Sequence, residues 1–235
     1  MQVHSQSDPA RAGNHNTQDP SARRVLIVTA VEAERDAVMR GLRNADGFDV
    51  IAAGVGPAAA AAAAATRLAR SAYRLVISAG IAGGFDGRAE VGGVVIADSI
   101  VAADLGSETA DGFASVRELG FGTDRIEAET NASIRLVEAL KRAGLPVSLG
   151  PILTVSTTTG SAERAAGLAG QVPGAAAEGM EGFGVATAAA MACVPVMEIR
   201  AISNKVGPRD RSAWRIPEAL RQLETASSLL PEVLS

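Results

Sequence analysis

From Arg24 onward the chain alternates short, continuous apolar runs with longer segments whose apolar positions recur at helical spacing. Residues 25–29 (VLIVT) form an almost unbroken apolar run, the pattern of a strand covered on both faces, and residues 32–42 follow with a helical pattern. A second strand is predicted over 50–53; it ends at Gly54 and Gly56, and Pro57 suits the first turn of a helix. That helix opens with unbroken alanine over 58–65, a residue whose propensity and small side chain fit close packing on a sheet. A third buried strand over 75–78 runs into Gly80-Ile81-Ala82-Gly83-Gly84, read as a glycine-rich turn. Residues 94–96 and 100–103 predict two further strands, broken by Asp98 and Ser99.

The polar stretch 105–127 has weak periodicity and reads as a long excursion of the kind that serves a function or an interface. Beyond it the pattern predicts a helix over 131–143 stopped by Gly144, a strand over 152–155 and a short helix over 161–169. A helix of mostly small residues over 181–192, a strand over 194–199 and a terminal helix over 217–234 complete the series. Alternation of this kind predicts the α/β class: one domain over residues 23–235, with a central mixed, mostly parallel twisted sheet flanked by helices. Residues 1–22 are polar, lack an apolar run, and are expected to form a disordered arm rather than a signal peptide.

Composition narrows the chemistry. The chain has 235 residues, a net charge of −4 and no basic stripe, so neither nucleic acid nor a membrane is an expected partner. Cys193 is the only cysteine, which excludes an intrachain disulfide and points to the cytoplasm; its apolar neighbours suggest an inert core position. Both histidines, His4 and His15, lie in the polar arm. A general base or acid in the folded body must therefore be a carboxylate, Lys, Tyr or Cys193, which removes Ser-His-Asp chemistry and the usual zinc sites. The glycines at 54–56 and 80–84 follow strands, where α/β folds bind ligands, but neither group matches a phosphate-binding loop.

Three polar positions stand next to strand ends. Glu34 falls in the first turn of the helix after the first strand, close to Glu32, where a carboxylate would also suit the helix dipole with no further role. Glu181 opens a helix beside Met180, near Glu178, and the same alternative applies. Asn204 follows Arg200-Ala201-Ile202-Ser203 at a strand end, where it could face a ligand or simply cap a turn.

The segments Ala30-Val31-Glu32-Ala33-Glu34, Ala79-Gly80-Ile81-Ala82-Gly83-Gly84, Gly179-Met180-Glu181-Gly182 and Ile199-Arg200-Ala201-Ile202-Ser203-Asn204 resemble, in order and spacing, the nucleoside phosphorylase and nucleosidase superfamily. The resemblance extends over nearly all of residues 24–234. It is closest to the methylthioadenosine/S-adenosylhomocysteine nucleosidases and, in their neighbourhood, to the futalosine hydrolases, which release hypoxanthine from futalosine in the alternative menaquinone pathway. It implies the three-layer sandwich of that superfamily, a small-molecule purine nucleoside as substrate, no cofactor and no metal, and a homodimer or higher homo-oligomer. It also implies roles. Glu34 would activate the attacking water, and Glu181 would bind the ribose hydroxyls with Gly179 and Met180 against the sugar. Ala82 and Gly83 would line the base pocket with backbone, and Asn204 would grip the base, supported by Ser203.

Position 204 departs from the pattern, since adenine-specific members carry an aspartate there. An asparagine amide can donate to a 6-oxo group while its carbonyl accepts from a protonated N7, so the pocket is expected to prefer a 6-oxopurine. Sites built around such a polar match reject the wrong partner by a factor on the order of 10⁴. Glu32 and Glu34 would repel phosphate, and Ile81 stands where phosphorolytic relatives use a hydroxyl, so water is the expected nucleophile; Arg35, Arg40 and Arg88 are the residues that would argue otherwise. A methylthioadenosine/S-adenosylhomocysteine nucleosidase and a 6-oxopurine phosphorylase stand as alternatives. Residues 204–214 resemble the futalosine hydrolase pattern and are expected to form a lid. In it Arg209 or Arg211 would pair with an aryl carboxylate, Trp214 would pack on its ring, and Thr158 would line the pocket from the preceding strand.

Overall fold

The computed structural model describes residues 24–235, so the arm expected over residues 1–22, with both histidines, lies outside the described residues. The elements are, in order, β1 (Val25–Thr29), α1 (Glu32–Leu42), β2 (Phe48–Ala52), α2 (Pro57–Leu68), β3 (Leu75–Gly84) and β4 (Val94–Ala102). There follow β5 (Gly106–Thr109), β6 (Gly112–Ser115), β7 (Arg125–Glu127), α3 (Thr130–Arg142), β8 (Val147–Thr154) and α4 (Ala162–Gln171). The chain ends with β9 (Ala177–Gly179), α5 (Gly182–Met191), β10 (Val196–Lys205) and α6 (Ile216–Val233).

The fold is α/β with a mixed sheet flanked by helices. Residues alternate faces along a strand, so in β1 Val25 and Ile27 pack with Leu136, Leu223 and Leu230 of α3 and α6, while Leu26 and Val28 join Ala60, Ala64 and Val185 of α2 and α5. The alanine run of α2 permits its close seat: a Cβ on Gly184 of α5 would lie 2.1 Å from the carbonyl oxygen of Pro57. Strand order is β10-β4-β8-β9-β3-β1-β2, and β10 also pairs with β3. The path β3-β10-β4-β8-β9 thus returns to β3 through the β3–β9 pairing, and the sheet is partly closed into a barrel, which leaves no free edge in that part. Among the described residues no helix is long and apolar enough to cross a membrane.

Several elements differ from the sequence expectation, each for a pairing reason. The glycines over 80–84 continue β3 rather than forming a turn, and none of Gly80, Gly83 and Gly84 has a positive φ. They are small because neighbours press on them: a Cβ at Gly80 would lie 2.6 Å from Glu34 Oε1 and 2.7 Å from Arg200 Nη1. Asp98 and Ser99 do not break β4; they sit at a register shift between Ala97 and Ile100, a bulge within one strand. The stretch read as an irregular excursion contains the β5–β6 hairpin and β7, which pairs with β4. Cys193 is exposed and left-handed, with φ of 55°, at the turn after α5 rather than in the core.

Candidate active site

One edge of β3 changes partner part-way along. β1 pairs with it at Leu75 to Ser78 and β9 at Gly83 and Gly84, so between them that edge has no strand beside it. The helix α1 starts where β1 ends and its third residue, Glu34, fills the gap. The Ile81 N–H donates to Glu34 Oε1 at 2.9 Å, and the N–H groups of Ala30 and Val31 donate to Oε2 at 2.9 and 3.2 Å. Glu34 is 4% exposed. Its position is thus fixed by main chain at both oxygens, with one lone pair remaining on Oε1 for a further donor.

Beneath it lies a buried ionic group. Arg200 is 1% exposed; its Nε donates to Glu198 Oε1 at 2.8 Å, Nη1 to Glu181 Oε2 at 3.2 Å and Nη2 to Ser78 Oγ at 3.2 Å. Burial alone would lower the Arg200 guanidinium, but Glu198, Glu181 and Glu34 together outweigh it and hold it further toward the charged form. Glu198 is fully buried, and burial pushes its carboxyl up against the pull of Arg200; its Oε2 has no hydrogen-bond partner among the described residues. The small residues over Arg200 follow from this packing, since a Cβ on Gly179 would lie 3.1 Å from Arg200 Cζ. Glu181, at the N-terminus of α5, also accepts from the Gly56 N–H at 3.1 Å, which ties α5 to the turn before α2.

Asn204 lies just past another irregularity. Ile202 pairs with Ala82 and Asn204 with Gly83, so Ser203 is an extra residue in β10. The Ser203 hydroxyl donates to Asn204 Oδ1 at 2.8 Å, and Asn204 Nδ2 donates to the Lys205 carbonyl at 2.9 Å. A carbonyl only accepts, so the amide cannot turn over, and one N–H and one lone pair remain for a ligand.

These groups share a cavity of about 440 Å³. Of the residues singled out from sequence, Glu34, Ala82 and Gly83 line it from α1 and β3, and Gly179, Met180 and Glu181 from β9 and the start of α5. Ser203 and Asn204 line it from β10, and Thr158, Arg209 and Trp214 lie at its mouth; Arg211 does not line it. Residues 207–214 form a strap from β10 to α6, in which Arg209 stacks over Trp214 at 5.1 Å from the ring centroid and Arg211 lies at 5.9 Å. Arg209 Nη1 donates to Thr158 Oγ1 at 3.2 Å. The arginines that could have served phosphate stand outside the cavity: Arg35 pairs with Glu32 at 2.7 Å and Arg40 with Glu224 at 2.8 Å, while Arg88 lines other clefts.

The sequence model of the phosphorylase superfamily matches residues 31–235. The chain belongs to that superfamily. Within it the chain is 51% identical to a futalosine hydrolase of Streptomyces coelicolor, over 89% of this chain and 96% of the relative, and 47% identical to one of Acidothermus cellulolyticus, over 87% and 89%. A 5'-methylthioadenosine/S-adenosylhomocysteine nucleosidase of Geobacillus thermodenitrificans is more distant, at 28% identity over 89% of each chain. Among solved structures, the nucleosidase of that name from Neisseria meningitidis superposes with a TM-score of 0.75 at 20% identity, covering 90% of this chain and 98% of its own, and shows the phosphorylase fold.

Glu178, which lines the cavity, and Arg200 and Glu198 beneath it carry no role in the expectation from sequence. Glu178 is buried on β9; Thr159 donates to it through its N–H at 2.8 Å and through its hydroxyl. Burial pushes the Glu178 carboxyl upward, and the Thr159 donors work against that. For Glu198 and Arg200 a signal is present in the sequence: they are two apart in the otherwise apolar first half of β10, and so share one face.

Proposed function

We propose that the protein is a metal-independent purine nucleosidase that hydrolyses the N-glycosidic bond of futalosine and releases hypoxanthine. The observation that carries this reading is the pairing of a main-chain-held carboxylate, Glu34, with an orientation-locked amide, Asn204, in one cavity of a chain half identical to a futalosine hydrolase. In the reaction the water oxygen bonds to the ribosyl carbon as the bond to the purine nitrogen breaks, and the bond's electron pair leaves with the base. Glu34 takes the proton of the attacking water. Glu181 holds the ribose hydroxyls, and its charge, with that of Glu34, favours the cationic sugar of the transition state. Asn204 donates its free N–H to the 6-oxo group of the leaving base; N7 takes a proton from solvent water, which regains one from Glu34, and the N7–H then donates to Asn204 Oδ1.

The same reading places the enzyme in the futalosine route to menaquinone, in the cytoplasm, as a homo-oligomer of a single nucleosidase domain over residues 23–235. The test is to incubate the protein with futalosine, inosine and methylthioadenosine, with and without phosphate, and to identify the base released. Hypoxanthine from futalosine at a rate indifferent to phosphate is the expected result. Adenine from methylthioadenosine as the favoured product, or a requirement for phosphate, would overturn it.

A further inference from the structure

A row across the sheet joins three residues of the cavity. Asn204 of β10 pairs in register with Gly83 of β3, and Gly83 with Glu178 of β9. Residues opposite one another in a ladder point to the same face, so the Asn204 and Glu178 side chains flank a position with no side chain of its own. The face is the cavity, which all three line. A Cβ on Gly83 would lie 2.9 Å from Val206 Cγ2 and 3.2 Å from Asn204 Nδ2, so Val206 borders the same space. Two strand spacings separate the flanking backbones by about 10 Å, room for a flat bicyclic ring over the glycine with a polar group at each side.

We propose that Glu178 is a second specificity-determining residue for the base, its carboxylate accepting the N1–H of a 6-oxopurine while Asn204 serves the O6 and N7 side. The proposal rests on the nucleosidase reading above. Both carboxylate oxygens already accept from Thr159, which marks the group as an acceptor, and each retains a lone pair. Hypoxanthine carries a hydrogen at N1; adenine carries a lone pair there and would face Glu178 with like polarity. An asparagine and a carboxylate together therefore read the lactam on two sides, whereas the amide alone reads one.

The experiment measures binding of hypoxanthine, adenine and 1-methylhypoxanthine to the wild-type protein and to E178A and E178Q. The wild type is expected to favour hypoxanthine over the other two by on the order of tenfold or more, the size of a hydrogen bond to a charged group. E178A is expected to bring the preference over 1-methylhypoxanthine within about threefold and to cut the preference over adenine by about tenfold, the remainder being what Asn204 reads at the 6-position, with E178Q between them. Adenine differs at N1 without added bulk but also at the 6-position that Asn204 reads, so the deciding quantity is the change in its ratio between the wild type and E178A. If E178A weakens all three bases equally, Glu178 only anchors the Thr159 loop and the proposal is overturned; equal binding of all three by the wild type overturns it too. Should E178A not fold, the same ratios in E178Q decide. Release of hypoxanthine from futalosine by the wild type, assayed separately, tests the underlying reading, so the two can fail independently.

Discussion

On the floor of the cavity Glu34 and Glu181 are buried, with Arg200 beneath them, and are held by main-chain N–H groups or by that guanidinium, whereas at its mouth Arg209 is exposed and rests on Trp214 and Thr158, with Arg211 outside it on the same ring. The floor is built of strand ends whose register is fixed by the sheet. The strap joins β10 to α6 through a single 3-10 turn, Arg211–Ala213. Buried charges held by several donors have one geometry and lose much when a partner is removed. Exposed arginines on a short loop can adjust to a ligand, and each of their contacts is worth little by itself. The floor therefore suits a reaction common to the superfamily, and the strap suits the selection of what the ribose carries.

The sharpest way to break this division is at Glu34. Glu34→Gln is expected to lower kcat by on the order of 10²–10⁴, the range for loss of a general base, with a smaller change in KM; full turnover would move water activation elsewhere. Arg200→Met leaves Glu198 buried and uncompensated, and denaturant unfolding is expected to show a loss of about 3–5 kcal/mol. Adding Glu198→Leu should recover much of it, and a single variant as stable as the wild type would show that the pair is not ionised. Asn204→Asp is expected to shift preference toward adenine nucleosides by on the order of 10² in relative kcat/KM, read with adenine and hypoxanthine nucleosides sharing one 5'-substituent. At the mouth, Arg209→Ala should raise KM for futalosine about tenfold and leave inosine nearly unchanged, since only the former carries a carboxylate for the strap to meet, and Arg211→Ala, outside the cavity, should do less. Equal effects on both substrates would merge strap and floor into one unit.

How much of this was legible in the sequence depended on whether a local pattern or a distant partner decides the outcome. The bounds of β1 and α1 agree with the pattern because VLIVT and the helical spacing after it are local signals. The terminal helix and the helix after residue 130 were readable for the same reason. The three residues of β9, the first half of β8 and the continuity of β4 through Asp98 and Ser99 were not, since each is defined by the strand beside it. The site divides the same way. Glu34, Glu181 and Asn204 stood in motifs, while Glu178 gains its place only from the register that sets it across Gly83. The bulge at Ser203, which shapes how Asn204 meets the cavity, left no mark in the residue types.

Gly80 gives the molecule a point where one methyl group matters out of proportion to its size. An alanine there would press its carbon between the Glu34 carboxylate and the Arg200 guanidinium, at 2.6 and 2.7 Å, closer than such atoms approach. The wedge falls on two side chains, one from α1 and one from β10, and not on the barrel wall itself. Gly80→Ala is thus a candidate for a protein that keeps its shape and goes silent, and it would serve as a blank against which any residual cleavage of a nucleoside can be judged.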